Sequence, residues 1–106
     1  MDKKSVLEIV SRFYQGIIKQ GIKPQKIILY GSYANQTETE TSDIDIVVIS
    51  DDFKGKNYWE RIDILTEVIY EIFAPIEAVA MTQEEWEEGD SFISDFARNG
   101  EVLFAA

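Results

Sequence analysis

The chain is expected to be an α/β protein, with a small mixed sheet flanked by helices. Apolar residues at helical spacing alternate along it with short runs of strand formers. Gly or Pro separates those stretches, and the 106 residues contain no repeat, no low-complexity tract and no linker. A hydrophobic fraction of 45% supports one modest core, so residues 1–106 are expected to form one domain.

Val6, Ile9, Val10, Phe13 and Ile17 recur at helical spacing and predict a helix over roughly residues 2–20. Gly21 ends it, and Pro24 marks the loop that follows. Lys26–Tyr30 is a short apolar run of strand formers, closed by Gly31-Ser32, where a short helix is expected to begin. The polar stretch Thr37–Thr41 reads as a solvated loop. Ser42–Ile49 is the second expected strand. Its period of two sends Ile44, Ile46 and Val48 to one face and Asp43, Asp45, Val47 and Ile49 to the other.

Asp51–Lys56 reads as a loop. Tyr58–Phe73 reads as a second long helix with Ile62, Leu65, Ile69 and Ile72 on its apolar stripe, broken by Pro75. Pro75–Met81 is a third apolar strand interrupted by a single charge, Glu77. Thr82-Gln83-Glu84-Glu85 matches a capping box, so a helix is expected to start near Glu84. An amphipathic segment over Phe92–Arg98 ends at Gly100, and Val102–Phe104 is expected to add an edge strand.

Composition narrows the chemistry. The chain has no cysteine, which excludes disulfides, thiolate catalysis and Cys-based zinc sites, and no histidine, the commonest general base. A bound metal would need oxygen ligands, which favours magnesium or manganese. The net charge is −10 and the ten Lys and Arg residues form no stripe, so direct binding of nucleic acid is not expected. There is neither a recognisable signal peptide nor an apolar run long enough for a bilayer, and a cytoplasmic location is the expectation.

Asp43 and Asp45 fall on one face at the start of an otherwise apolar strand. Two carboxylates this close repel each other, and one flanked by Ile44 and Ile46 loses hydration. A divalent cation would compensate both terms. Two such ions about 3.5–4 Å apart can activate an attacking oxygen and stabilise a leaving one. The competing reading is a loop cap beside a strand, which an isolated D-x-D fits as well. Gly31-Ser32 lets backbone approach a ligand closely and offers N–H groups and a hydroxyl to phosphate. Its competing reading is a plain strand-to-helix turn with Ser32 as N-cap.

Together the two pieces are more specific: Gly31-Ser32, ten residues, then Asp43-x-Asp45. That spacing, with a strand on each side, resembles the G-S-x(10)-D-x-D signature of minimal nucleotidyltransferases in the DNA polymerase β superfamily. The resemblance extends over most of the chain and implies a palm-like nucleotidyltransferase fold. It implies that Gly31 and Ser32 hold the β and γ phosphates of an NTP, that Asp43 and Asp45 bind the metals, and that a third carboxylate stands on the next strand. Glu77 is the candidate for that third ligand, as the single charged residue in Pro75–Met81. Its competing reading is an edge-strand charge that blocks aggregation. The chain departs from the pattern where many relatives read G-S-x-A-R-G, since Asn35 and Gln36 follow Ala34 here. The third acid is Glu where Asp is more usual.

Two functional classes follow. In the first, the protein is an enzyme that transfers a nucleotide, with ATP as donor and magnesium or manganese as cofactor. Small relatives of this kind pair with helical HEPN-domain toxins, so the resemblance implies a protein acceptor, with AMP added to the toxin. In the second, the chain is a non-catalytic, antitoxin-like module that neutralises a protein partner by occlusion. The intact Gly31, Ser32, Asp43 and Asp45 argue for the first.

Overall fold

The computed structural model describes residues 1–89 and 91–106. Helix α1 spans Lys3–Lys19 and is capped by Asp2, whose carboxylate accepts from the Ser5 N–H at 2.8 Å. Strand β1 is Lys26–Tyr30, followed directly by the short helix α2, Gly31–Asn35. Strand β2 is Ile44–Ile49, and a 3-10 turn at Asp51–Phe53 stands where the sequence suggests a loop, burying Phe53 completely. Helix α3, Tyr58–Ile72, opens on a capping box between Asn57 and Glu60. Strand β3 is Ile76–Met81, helix α4 is Gln83–Glu88, helix α5 is Phe92–Ala97, and strand β4 is Glu101–Ala105.

The capping box at Thr82 and Glu85 forms as its sequence predicts and fixes the start of α4. Helix α3 ends before Pro75 can break it. Phe73 takes a left-handed conformation, φ 53°, and its N–H closes on the Ile69 carbonyl at 3.0 Å. No helix among the described residues is long and apolar enough to cross a membrane.

The strands form one mixed sheet in the order β3-β2-β1-β4, with β2 and β3 parallel and the other pairs antiparallel. The parallel pair requires a crossover, which α3 supplies. One face carries Ile27, Leu29, Ile44, Ile46 and Val48, packed against Val6, Val10, Phe13 and Ile17 of α1 and Leu65 and Val68 of α3. The helices meet closely at Gly16, where a methyl group would overlap the Val68 side chain. That contact seats Val68 in the core on the same helix face as Leu65, Ile69 and Ile72. The opposite face carries Ile28, Val47, Ile49 and Met81 under Trp86, Ile93 and Ala97 of α4 and α5. The predicted alternation along β2 is therefore the observed one.

Candidate active site

Tyr30, the last residue of β1, pairs with Asp45 on β2, and Asp45 lies in register with Glu77 on β3. Side chains in register share a face. Tyr30, Asp45 and Glu77 therefore form a row across adjacent strands, running from Tyr30, buried in the cluster under α4 and α5, through half-buried Asp45 to exposed Glu77. Sequence reasoning leaves Tyr30 out of the site. Its position next to Gly31 is the signal that could have found it.

Gly31 follows with φ 74°, a conformation that residues with a Cβ adopt at a cost of about 1–2 kcal/mol. A methyl group there would also overlap the Asp45 carboxylate. Glycine thus lets the strand-to-helix turn lie directly against Asp45, and the first turn of α2 opens beside the carboxylate row. The N-cap of α2 is Tyr30, which makes no side-chain capping bond. Ser32 lies inside the first turn, so its hydroxyl is not used as the cap. At the far end of α2, Gln36 takes a left-handed φ of 59° at the position where many relatives of the resembled family have glycine.

One expectation needs correction. Asp43 lies one residue outside β2, not within it, and is exposed. The Thr39 N–H donates to the Ser42 hydroxyl at 2.8 Å and the Ser42 N–H to the Thr39 carbonyl at 3.1 Å, so Ser42 belongs to a turn. Pairing toward β3 begins only where the Ile44 N–H donates to the Pro75 carbonyl at 2.7 Å. Asp43 is thus held at the rim, although its charge still reaches Asp45. Glu77 is exposed because β3 is an edge strand. It nevertheless stands within hydrogen-bond reach of Asp45.

Electrostatics single out Asp45. Its carboxyl is pushed up to about 6, first by burial, then by the Glu77 charge and a hydrogen bond with Glu77, and last by Asp43. Asp45 therefore keeps its proton at mildly acid pH. Tyr30 is pushed up to about 12 by burial and then by the charges of Asp45 and Glu77. It keeps its proton at neutral pH and can act as a hydrogen-bond donor, not as a base.

Among the described residues no three carboxylates close into a ready-made cation cage. Asp45 and Glu77 form the tight part, and Asp43 stands at the exposed rim. The donor set is all carboxylate oxygen, and the raised Asp45 carboxyl marks where positive charge is wanted. Both features fit a hard divalent cation.

A glycine-serine turn set against in-register carboxylates, at one end of a helix-backed mixed sheet, is the layout of a nucleotidyltransferase palm. The polymerase beta nucleotidyltransferase family matches residues 14–106, and the chain belongs to that family. It is 34% identical over 108 aligned positions to a Methanocaldococcus jannaschii protein named "Putative protein adenylyltransferase MJ0604", covering 97% of this chain and 98% of the relative. Among solved structures, a "putative nucleotidyltransferase" from Sulfolobus solfataricus superposes with a TM-score of 0.72 at 15% identity, over 95% of this chain and 81% of that one. A toxin–antitoxin structure with AMP-PNP superposes with a TM-score of 0.64 at 19% identity, over 94% of this chain and 73% of that one. At such identities the last two speak to the fold.

Proposed function

We propose that the protein is a metal-dependent adenylyltransferase that moves AMP from ATP onto a hydroxyl group of a protein partner. The observation that carries this reading is the convergence of the Gly31-Ser32 turn with the Asp45–Glu77 pair at one end of the sheet. ATP as donor is supported by the name of the Methanocaldococcus jannaschii relative and by the AMP-PNP in the toxin–antitoxin structure. A protein acceptor is supported by that same relative's name and by a net charge of −10, which disfavours nucleic acid. A HEPN-type toxin is the partner class we propose.

In the reaction, the acceptor oxygen forms a bond to the α-phosphorus of ATP. The bond from that phosphorus to the oxygen bridging the β-phosphate breaks. Pyrophosphate leaves with the electron pair, and the acceptor proton passes to solvent. Ser32 and the N–H groups at the start of α2 would hold the β and γ phosphates, with Gly31 leaving room for them beside Asp45. Asp45, Glu77 and Asp43 would hold magnesium or manganese. When bound, the cation would neutralise the triphosphate and make the attacking hydroxyl more acidic. Asp45 would hold the cation in its ionised form. Tyr30, protonated, would help keep water from the floor of the site.

The test is incubation with α-radiolabelled ATP and magnesium, with and without a HEPN-like protein encoded beside this one. Label on the partner, absent with Asp45→Asn, is the expected result. An unlabelled partner that Asp45→Asn neutralises as well as wild type does would establish occlusion instead.

A further inference from the structure

A groove of about 610 Å³ runs along the outer edge of β3, beside the candidate site and not within it. Its floor is the strand from Ala78 to Met81, one wall is the start of α3 with Tyr58, Ile62 and Leu65, and the other is α4. The hydrogen bonds of β3 fix which backbone groups face it. The Pro75 carbonyl accepts from Ile44, and the Met81 carbonyl accepts from Ser50 at 2.9 Å. Successive residues of a strand turn their backbone groups to opposite sides. Residues 75, 77, 79 and 81 therefore pair toward β2, and the N–H and C=O groups of Ala78 and Ala80 point outward into the groove. Among the described residues, no backbone or side-chain group takes them up. Both side chains are small, so the polar edge is accessible.

The far end of the groove is closed. Arg61, held by the Phe53 and Lys56 carbonyls at 3.1 and 3.0 Å, donates to Glu85 at 2.7 Å. Glu85 in turn accepts from the Thr82 N–H at 2.7 Å, just beyond Met81. The other end leads to Glu77, immediately before Ala78 and beside Asp45.

We infer that this edge docks an extended segment of the acceptor protein as an added strand, hydrogen-bonded to Ala78 and Ala80, which carries a hydroxyl-bearing side chain past Glu77 to the transfer site. An extended polypeptide is the ligand that supplies donors and acceptors at strand spacing. A segment paired at Ala78 is one or two residues, at about 3.3 Å per residue, from the Asp45–Glu77 pair. The wall formed by α4 presents Glu88 beside the Arg61-bound Glu85, Glu84 and Glu87 are exposed on the same helix, and the chain carries a net charge of −10, so the segment is expected to be flanked by basic residues. The inference rests on the proposed transfer reaction and adds how its acceptor is held.

The test uses the full chain and a short lysine-flanked peptide of alternating valine and threonine with a central tyrosine. NMR should show the peptide protecting the Ala78 and Ala80 amides while leaving the already paired Val79 amide unchanged. Proline is tolerated at an edge position whose N–H faces outward, so Ala80→Pro is expected to weaken the peptide by about tenfold, equivalent to roughly 1.4 kcal/mol. Magnesium-dependent ATP binding should stay at the wild-type level in that variant. If Ala80→Pro does not fold, peptides methylated at alternate backbone nitrogens replace it. One methylation set should abolish binding to the wild-type protein and the other should spare it. No peptide binding, binding insensitive to both changes, or protection of the Ala78 and Ala80 amides by self-association would overturn the docking proposal. Loss of magnesium-dependent ATP binding in the wild-type chain would overturn the transfer reading itself, a separate result read in the same samples.

Discussion

The two faces of the sheet are built from the same strands and carry opposite duties. Under α1 and α3, every inward side chain of β1 and β2 is apolar and fully buried, from Ile27 and Leu29 to Ile44, Ile46 and Val48. On the other face the apolar cluster is smaller, α4 and α5 cover it only in part, and beyond its buried Tyr30 the row continues to half-buried Asp45 and exposed Glu77. Alternation makes this possible, because each strand can place an isoleucine in the core and a carboxylate beside open solvent one residue apart. Stability and chemistry are thereby separated across a single layer of backbone, and substitutions on the two faces should fail in different ways.

The largest effect is expected at the charged end. Asp45→Asn should reduce AMP transfer on the order of a thousandfold or more, while thermal melting shows a fold as stable as wild type or more so, since a repelling carboxylate is gone. A variant that retained most of its transfer would break the contrast, and one that unfolded would make Asp45 a structural residue. On the sealed face, Phe13→Ala removes a fully buried ring and should destabilise the protein by about 3–5 kcal/mol in denaturant melts. The fraction that remains folded should bind nucleotide with unchanged affinity. Ser32→Ala is expected to cost about 1–2 kcal/mol of ATP affinity, because one hydroxyl donor to a charged acceptor is lost while the backbone donors remain. It should raise KM more than it lowers kcat, and wild-type affinity in titration would remove Ser32 from the site.

The smallest effect is a pH dependence. The Asp45 carboxyl is raised from 3.8 to about 6 in the folded protein. The folded state therefore holds a proton that the unfolded state releases. The stabilisation is present below about 3.8 and is lost as pH rises through about 6. In metal-free melts, wild type should lose stability relative to Asp45→Asn across that window. Parallel curves would show that Asp45 is not held as described.

Much of this was legible in the residues. The run Lys26–Tyr30, the capping box at Thr82 and the parity of Ile44–Ile49 are local signals, set by side-chain type and spacing, and the structure repeats them. What escaped depends on contacts distant in sequence. The start of β2 is decided by where Ile44 meets Pro75, so Asp43 falls outside the strand. The exposure of Glu77 depends on strand order, since a central β3 would have buried it. Val68 shares the helix face of Leu65, Ile69 and Ile72, but that it packs against Gly16 of α1 is set by how two helices approach, which α3 alone does not announce. The open edge at Ala78 and Ala80 is equally invisible, because it depends on β3 standing outermost among the described strands.

The proposed reaction makes the charged end of the sheet a cation-dependent nucleotide site. Calorimetric titration of ATP into wild type and Asp45→Asn, each with and without magnesium, tests it most directly. Wild type should bind ATP strongly only with magnesium, and Asp45→Asn should lose that enhancement while melting as a folded protein. Equal ATP affinity in both proteins, or affinity in wild type indifferent to magnesium, would contradict it.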